Sequence, residues 1–176
     1  IGASRMIGVE FIDIKKNIKH LKLPNKRFEF RGQIDERNLY DDYAHHPKEI
    51  KETIKLGRLF TKKKRNNKFQ KSRLIALFQP HRYSRVKQFA REFADELSKA
   101  DVIYVTSIYA AGERNEDNIN SKIITDLIYK KNKNVYYINN YHEIAKNFYK
   151  LTEKGDLILN MGAGDCHNFW SILNKK

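Results

Sequence analysis

The sequence has a single cysteine and no long apolar run, and each shortage excludes a class of protein. No apolar run approaches the roughly 20 residues that a membrane-spanning helix needs. The single cysteine, Cys166, excludes an internal disulfide and fits a reducing compartment, so we expect a cytoplasmic protein. The opening segment IGASRMIGVEFIDI has neither an initiator methionine nor the layout of a signal peptide. We therefore expect a segment of a longer protein.

Acidic residues are also scarce, with 21 Asp and Glu against 35 Lys and Arg and a formal net charge of +14. Such an excess of cations can neutralise nucleic-acid phosphates. The densest block is TKKKRNNKFQKSR at residues 61–73, where a single aromatic residue interrupts the charge. Because Lys, Asn, Ile and Tyr are abundant along the whole chain, we interpret the block as a solvated surface loop. A basic nucleic-acid-binding α/β module remains the alternative.

Over the C-terminal half of the chain, apolar runs of strand length alternate with segments in which an apolar residue recurs every three or four positions. Ahead of them, Asp13 is the expected N-cap of a helix over 13–22, and Pro47 opens a second helix. Buried strands separated by helices predict an α/β, Rossmann-like fold: a mostly parallel sheet of about six strands with helices on both faces. The expected strands are 27–34, 38–43, 73–78, 101–107, 134–138 and 156–161. The later expected helices are 84–100, 121–131 and 141–151.

Four clusters of polar and glycine residues directly follow predicted strands. They are DDYAHHP (41–47), QPHRYSR (79–85), IYAAGE (108–113) and GAGDCH (162–167). Ligands of open α/β sheets bind beyond the carboxyl ends of the strands. The sequence therefore predicts that the four clusters meet along one ligand-binding edge.

Arg82 and Arg85 are three residues apart at the start of a predicted helix, where cations oppose the helix dipole. An anion held between the guanidinium groups and the free backbone N–H groups would explain the placement. A carboxylate or a phosphate would fit. The alternative is a solvated pair of arginines that contact nearby acidic residues.

The cluster DDYAHHP permits a functional and a structural interpretation. In a nucleotide site, an aspartate would bind the ribose, Tyr43 would stack on the base and His45 would contact phosphate. In the structural alternative, Asp41 or Asp42 forms a turn, His46 caps the helix and Tyr43 lies in the core.

Other site chemistries have weaker support. Zinc on His45, His46 and His81 lacks a cysteine-rich or glutamate-rich shell, so we expect no metal site on this chain. The turn GAGD at 162–165 lacks the Lys-Ser/Thr ending of a phosphate-binding loop. Cys166 is expected to be a small buried apolar residue and not a nucleophile.

Five motifs together resemble the C-terminal domain of the Mur ligase family over essentially the whole chain. They are KRFEFRG (26–32), YDDYAHHPKEI (40–50), FQPHRYSR (78–85), YAAGE (109–113) and MGAGD (161–165), in this order. The resemblance implies amide-bond formation at the expense of ATP, through an acyl phosphate. Within the family, DDYAHHP with FQPHRYSR is similar to the branch that adds L-alanine to UDP-N-acetylmuramate in peptidoglycan precursor synthesis. The peptide-recycling branch, disfavoured by QPHRYSR, stays an alternative.

The resemblance also implies roles for individual residues. Its catalytic residues are His45 and His81. Its ATP-binding residues are Arg27, Asp42, Tyr43 and His45. Its substrate-binding residues are Tyr43, His81, Arg82, Arg85, Gly162 and Asp165.

The resemblance further implies that residues 1–23 are the tail of a central ATPase domain and 24–176 the C-terminal domain. The chain has no Gly-x-x-Gly-Lys-Thr/Ser loop, so we expect it to be inactive alone and Mg²⁺ to be held mainly by the central domain. Expected partners are L-alanine, UDP-N-acetylmuramate and the other domains, without membrane or nucleic acid. The basic insertion at 62–71 is longer than usual for the family and has no assigned role.

Overall fold

The computed structural model describes residues 2–20, 24–61 and 72–174, and within these ranges six strands form one sheet. The strands are β1 (Glu29–Ile34), β2 (Arg37–Asp42), β3 (Leu74–Phe78), β4 (Val102–Val105), β5 (Val135–Tyr137) and β6 (Leu157–Met161). Their order across the sheet is β1-β2-β6-β3-β4-β5. Only the β1–β2 pair is antiparallel, and the other neighbouring strands run parallel.

Helices cover both faces of the sheet. The helices are α1 (Gly2–Met6), α2 (Phe11–Asn17), α3 (Pro47–Thr61), α4 (Tyr83–Leu97), α5 (Lys122–Tyr129), α6 (Tyr141–Lys146), α7 (Phe148–Leu151) and α8 (Phe169–Asn174). Residues of α3, α4 and α5 share one apolar cluster with one side of the sheet, and residues of α6, α7 and α8 share a second cluster with the other side. The prediction of a mostly parallel, six-stranded α/β fold is confirmed. Within the described ranges, no helix combines the length and apolarity needed to cross a bilayer.

The strands that precede the four polar clusters are immediate neighbours. β2, β6, β3 and β4 stand side by side and run parallel, so their carboxyl ends point to the same edge. β3 is buried along its whole length, as is β6. Burial on both faces explains why these strands are continuous apolar runs without an alternating pattern.

The N-terminal segment differs from its prediction. α2 begins at Phe11 with Glu10 as its N-cap, so the expectation of Asp13 at the N-cap is wrong; Asp13 lies in the first turn. The helix ends at Asn17 and a 3₁₀ turn follows, whereas residues 21–23 lie outside the described ranges. None of residues 2–20 is buried. Apolar side chains of this segment, such as Ile12 and Ile18, are therefore exposed.

The helix expected over 141–151 and the loop expected at 62–71 have different outcomes. The single helix expected over 141–151 is two short helices, because the backbone at Asn147 is not helical and separates α6 from α7. The predicted basic surface loop at 62–71 lies outside the described residues.

Asp41 joins the last helix to the sheet through a buried polar network. The residue is 3% exposed, and its Oδ1 accepts hydrogen bonds from Asn160 Nδ2 at 2.8 Å and Trp170 Nε1 at 2.6 Å. Within the described chain, its Oδ2 has no hydrogen-bond partner and lies 3.6 Å from the Arg31 guanidinium. Burial raises the pKa of this carboxyl to about 6, because the charged form is poorly solvated there.

The raised pKa predicts a stability that falls with increasing pH. The unfolded chain loses the Asp41 proton near its ordinary pKa of 3.8, whereas the folded chain keeps it until about pH 6. The stabilisation is therefore complete below pH 4 and is lost by pH 7. Asp41→Asn keeps the acceptor for Asn160 and Trp170 without the charge. We expect the free energy of unfolding of the wild type to fall relative to this variant by up to about 3 kcal/mol between pH 4 and pH 7, measured by urea denaturation. If the free energy of unfolding of the two proteins changed with pH in the same way, this account would be contradicted.

Candidate active site

Backbone hydrogen bonds extend the sheet into the loops that carry the polar clusters. Gly162 N donates to Asp42 O at 3.1 Å and joins the ends of β6 and β2. Gln79 N donates to Met161 O at 2.9 Å, so the end of β3 is held beside β6 in the same way. Thr106 N donates to Phe78 O at 3.0 Å and joins the ends of β4 and β3. The four clusters therefore leave the sheet from fixed, adjacent positions.

Four aromatic rings from three of these clusters form a continuous row, which we call the ring row: Tyr43, His45, His81 and Tyr109. The ring centroids of Tyr43 and His45 are 5.1 Å apart, and those of His45 and His81 are 5.6 Å apart. His81 and Tyr109 stack at 5.6 Å with an interplanar angle of 14°. The structure thus brings together the predicted site residues Tyr43, His45 and His81.

His45 is held with one ring nitrogen turned into the protein. Its Nδ1 lies 2.9 Å from Tyr43 O, and because a carbonyl oxygen can only accept, Nδ1 carries the proton. Glu49 Oε2 lies 3.4 Å from the same nitrogen and accepts a hydrogen bond from His45 N at 3.0 Å. In the neutral ring, Nε2 therefore carries a lone pair. This nitrogen can accept a proton from a ligand.

His81 has the opposite arrangement. Its Nδ1 lies 3.1 Å from a guanidinium nitrogen of Arg85, and because a guanidinium can only donate, Nδ1 is the acceptor. Nε2 of His81 therefore carries the proton and can donate. Burial lowers the pKa of His81, and the Arg85 charge lowers it further. His81 is thus a neutral hydrogen-bond donor at neutral pH.

The start of α4 differs from the prediction. Glu113, from the loop after β4, accepts hydrogen bonds from Ser84 N at 3.0 Å and Ser84 Oγ at 2.6 Å. This carboxylate occupies the helix N-terminus, which was expected to help to hold an external anion. Arg82 is half exposed and its guanidinium forms an ion pair with Glu113 at 3.9 Å, so the contact with a nearby acidic residue that was considered as the alternative is present for Arg82. An external anion would be bound by the arginine side chains alone.

The residues expected at the nucleotide also lie together. The guanidinium carbon of Arg27 lies 5.6 Å from the centroid of the Tyr43 ring, and Tyr43 is 38% exposed, so the alternative of Tyr43 in the core is wrong. Asp42 is buried, and its carboxylate accepts hydrogen bonds from Ala44 N at 2.8 Å and Phe28 N at 2.9 Å. Burial raises the pKa of Asp42. Its turn-forming role is confirmed, and the ribose contact stays a prediction.

His46 has the structural role considered for it. Its Nδ1 accepts a hydrogen bond from Lys48 N at 3.3 Å, and its ring packs against Phe89 with centroids 5.0 Å apart. Glu49 Oε2 accepts a hydrogen bond from His46 N at 3.2 Å, so the two side chains cap α3 reciprocally. In the described part of the chain, no three His, Cys, Asp or Glu side chains lie close enough together to hold a metal ion.

The loop after β6 closes the other end of the site. Asp165 Oδ1 accepts a hydrogen bond from Gln79 Nε2 at 2.7 Å. A Cβ at Gly162 would lie 3.1 Å from both Gln79 O and Cys166 Sγ, so a larger residue there would require these neighbours to shift by a few tenths of an ångström. Cys166 is buried, as expected, and burial raises the pKa of its thiol to about 12. A thiol in this environment is not a nucleophile.

Comparison with known proteins identifies the family. The family model described as "Mur ligase, glutamate ligase domain" matches residues 26–164. The chain belongs to the Mur ligase family. It is 63% identical over 177 residues to the UDP-N-acetylmuramate--L-alanine ligase of Prochlorococcus marinus subsp. pastoris, and the match covers 100% of the chain and 37% of that protein. The ligase of the same name from Caldanaerobacter subterraneus is 38% identical, with 95% of the chain and 34% of the relative covered.

Solved structures of Mur ligases have the same fold. The UDP-N-acetylmuramate-alanine ligase of Thermotoga maritima matches with a TM-score of 0.74 and 21% identity over 99% of the chain and 35% of that protein. A murein peptide ligase from Psychrobacter arcticus matches with a TM-score of 0.69 and 18% identity, covering 99% of the chain and 34% of its own. The chain therefore spans about a third of the length of these relatives.

Sequence reasoning missed several residues of this Mur ligase site. Glu49 could have been found, because a glutamate three residues after a helix N-cap is typical of a capping box. Tyr109 and Glu113 are part of the recognised motif YAAGE but received no individual roles. Their contacts with His81 and Ser84 join two different loops, and nothing in the local sequence indicates which side chains will meet.

Proposed function

We propose that the chain is the C-terminal domain of an ATP-dependent ligase that joins L-alanine to the lactyl carboxylate of UDP-N-acetylmuramate. The observation that carries the proposal is a pair of neighbouring imidazoles with different partners: Nδ1 of His45 faces the Tyr43 carbonyl, and Nδ1 of His81 faces the Arg85 guanidinium. One imidazole can accept a proton, the other can donate a hydrogen bond, and the arginines can bind a carboxylate. Amide formation from an amino acid needs these three capacities.

In the proposed reaction, Arg82 and Arg85 bind the carboxylate of L-alanine and leave its amine directed towards the ring row. Asp165 and Gly162 form the edge of this pocket. The amine nitrogen attacks the carbonyl carbon of the acyl phosphate, and the C–N bond forms as the tetrahedral intermediate develops. Phosphate then leaves with the electron pair of the C–O bond.

The two histidines serve different steps of the same transfer. Nε2 of His45 accepts the proton that the alanine nitrogen must lose, which is general-base catalysis. The Nε2 proton of His81 donates a hydrogen bond to the oxygen on which negative charge develops. Because His81 is neutral, it does not compete with the arginines for the carboxylate.

ATP would bind at the Tyr43 end of the row. We assign Tyr43 to the adenosine, Arg27 to the ribose or phosphates, and His45 to the phosphate side. Asp42 would accept hydrogen bonds from the ribose hydroxyls beside those that it accepts from Ala44 N, Phe28 N and the Thr53 side chain. Because the described residues offer no cluster for Mg²⁺, we assign its ligands to the rest of the ligase and derive no step through the ion.

We also propose a place for this domain within a longer enzyme. Residues 1–23 would be the tail of the central ATPase domain and 24–176 the domain that closes the site, in a cytoplasmic enzyme of peptidoglycan precursor synthesis. The absence of buried residues over 2–20 supports this division, because an exposed apolar segment is expected to pack elsewhere. The isolated chain, without a phosphate-binding loop, is expected to be inactive.

A chimeric ligase tests the proposal. The chain replaces the matching segment of the 63% identical Prochlorococcus marinus relative, and ADP release is measured with UDP-N-acetylmuramate. We expect turnover that depends on L-alanine, and none from the chain alone. A folded chimera that turns over only with a preformed peptide would instead support the peptide-recycling alternative. Salt-sensitive DNA or RNA binding by the chain, without ligase activity in the chimera, would support the nucleic-acid module.

A further inference from the structure

Tyr109 is joined to the loop that carries His81 and Arg82 by two backbone hydrogen bonds. Tyr109 N donates to Pro80 O at 2.8 Å, and Arg82 N donates to Tyr109 O at 2.8 Å. His81 and Tyr109 thereby form an isolated parallel bridge beyond the ends of β3 and β4. The loop after β4 fixes the path of the neighbouring loop.

The backbone of Arg82 needs this support. Its φ is 71° and its ψ is 137°, a combination that an L-residue adopts only at a conformational cost of about 1–3 kcal/mol. Such a conformation persists where the surroundings impose it. The hydrogen bond from Arg82 N to Tyr109 O is a contact that does so.

The ring of Tyr109 lies between His81 and Gly164. One face stacks on His81. A Cβ built at Gly164 would lie 2.5 Å from Tyr109 Cγ and 2.6 Å from Gln79 Oε1. Real Cβ atoms do not approach other atoms so closely, so the ring and a side chain at position 164 cannot both occupy these places.

We propose that Tyr109 is a positioning residue for the amino-acid side of the site, and that Gly164 is required because it leaves space for the Tyr109 ring. Tyr109 fixes His81 through its ring and Arg82 through its backbone. The inference rests on the proposed function, in which these two residues act on L-alanine and the acyl phosphate. Gly164 therefore affects the ligand only indirectly: it leaves space for Tyr109, and Tyr109 positions the residues that contact the ligand.

The test uses the chimeric ligase with Gly164→Ala. The added methyl group displaces the Tyr109 ring, and with it His81 and Arg82. A displacement of about 1 Å at such a site can cost around 100-fold. We expect kcat/KM for L-alanine to fall by about 10- to 100-fold, with the KM for ATP within about twofold of the parent. Lys87→Ala, at an exposed position of α4 where the ammonium group pairs with the exposed Asp117 at 2.8 Å, is the control.

Variants of Tyr109 separate positioning from a general loss of folding. Tyr109→Ala should lower kcat/KM for L-alanine as Gly164→Ala does. Tyr109→Phe keeps the ring and should therefore retain most of the activity of the parent. In the double variant, the methyl group of Gly164→Ala no longer meets a ring. The double variant should therefore be no worse than Tyr109→Ala alone, and additive losses would overturn the proposal.

A measurement without turnover keeps this inference separate from the proposed function. In histidine-labelled chimera, nitrogen chemical shifts report which ring nitrogen of His81 carries the proton. We expect Gly164→Ala and Tyr109→Ala to change the His81 signals and to raise its pKa, because displacement of the ring exposes the imidazole. Unchanged His81 signals in both variants overturn the inference even if the ligase is active. Changed signals in a chimera that shows no L-alanine dependence would support the positioning while rejecting the proposed function.

Discussion

Replacing Arg85 by alanine in the chimeric ligase is expected to lower kcat/KM for L-alanine by about 100- to 1,000-fold. Arg85 is partly buried in this chain, and the closed site of the complete ligase would cover it; removing one partner of a charge pair buried in this way typically costs about 2–5 kcal/mol. Arg85 has two functions here, because it would bind the alanine carboxylate and it donates to Nδ1 of His81. Most of the loss should appear as a higher KM for L-alanine. A smaller fall in kcat is expected because the His81 imidazole loses its hydrogen bond from Arg85. Initial rates at varied L-alanine and varied ATP separate the two effects.

Lys87 provides a matched control on the same helix. It is an exposed cation whose ammonium group pairs with Asp117 at 2.8 Å, so Lys87→Ala removes the same charge from the surface of α4. We expect its kinetics to stay within about twofold of the parent, since such exposed pairs contribute little. Arg85→Lys should recover only part of the loss, because an ammonium group lacks the planar fork of a guanidinium. Equal KM values for L-alanine in Arg85→Ala and the parent would reject the assignment of Arg85.

Much of the fold could be predicted from the sequence because its signals are local. A strand such as Leu74–Phe78 is recognisable as a continuous apolar run, and a helix such as α4 has an apolar residue every three or four positions. Once the strands were known to be parallel, the rule that ligands bind at their carboxyl ends placed the polar clusters together. The observed strand order, which sets β2, β6, β3 and β4 side by side, was beyond the sequence alone.

The parts that could not be predicted depend on contacts between distant residues. Glu113 occupies the N-terminus of α4 from 29 positions along the chain, and no periodicity indicates that contact. The proton positions on His45 and His81 depend on whether a carbonyl or a guanidinium lies next to each Nδ1. The role of Gly164 depends on where a ring from another loop comes to rest. The sequence predicted which polar clusters lie along one edge, and the structure shows which side chains of these clusters contact one another.

His45→Asn is expected to lower kcat for L-alanine by about 100- to 10,000-fold, the range usually found when a general base is removed. The asparagine amide can still donate to Tyr43 O, as Nδ1 of His45 does at 2.9 Å, but it has no group in place of Nε2. The substitution therefore removes the proton acceptor with little change to the loop. The acyl phosphate should still form, because that step does not use a proton acceptor at Nε2, and a change in the KM for ATP would report the contact of His45 with phosphate.

Hydroxylamine distinguishes a lost base from a damaged site. It is uncharged at neutral pH and needs no base before it attacks the acyl phosphate, so His45→Asn should still form the hydroxamate at a rate close to that of the parent. Ligation of L-alanine, which is an ammonium ion at the same pH, should be the slow reaction. His46→Asn is the control, because asparagine is a good helix N-cap and His46 contacts Lys48 and Phe89 in its structural role. If His45→Asn loses both reactions equally, His45 acts on the phosphate side alone, and the proton acceptor must be sought elsewhere in the ligase.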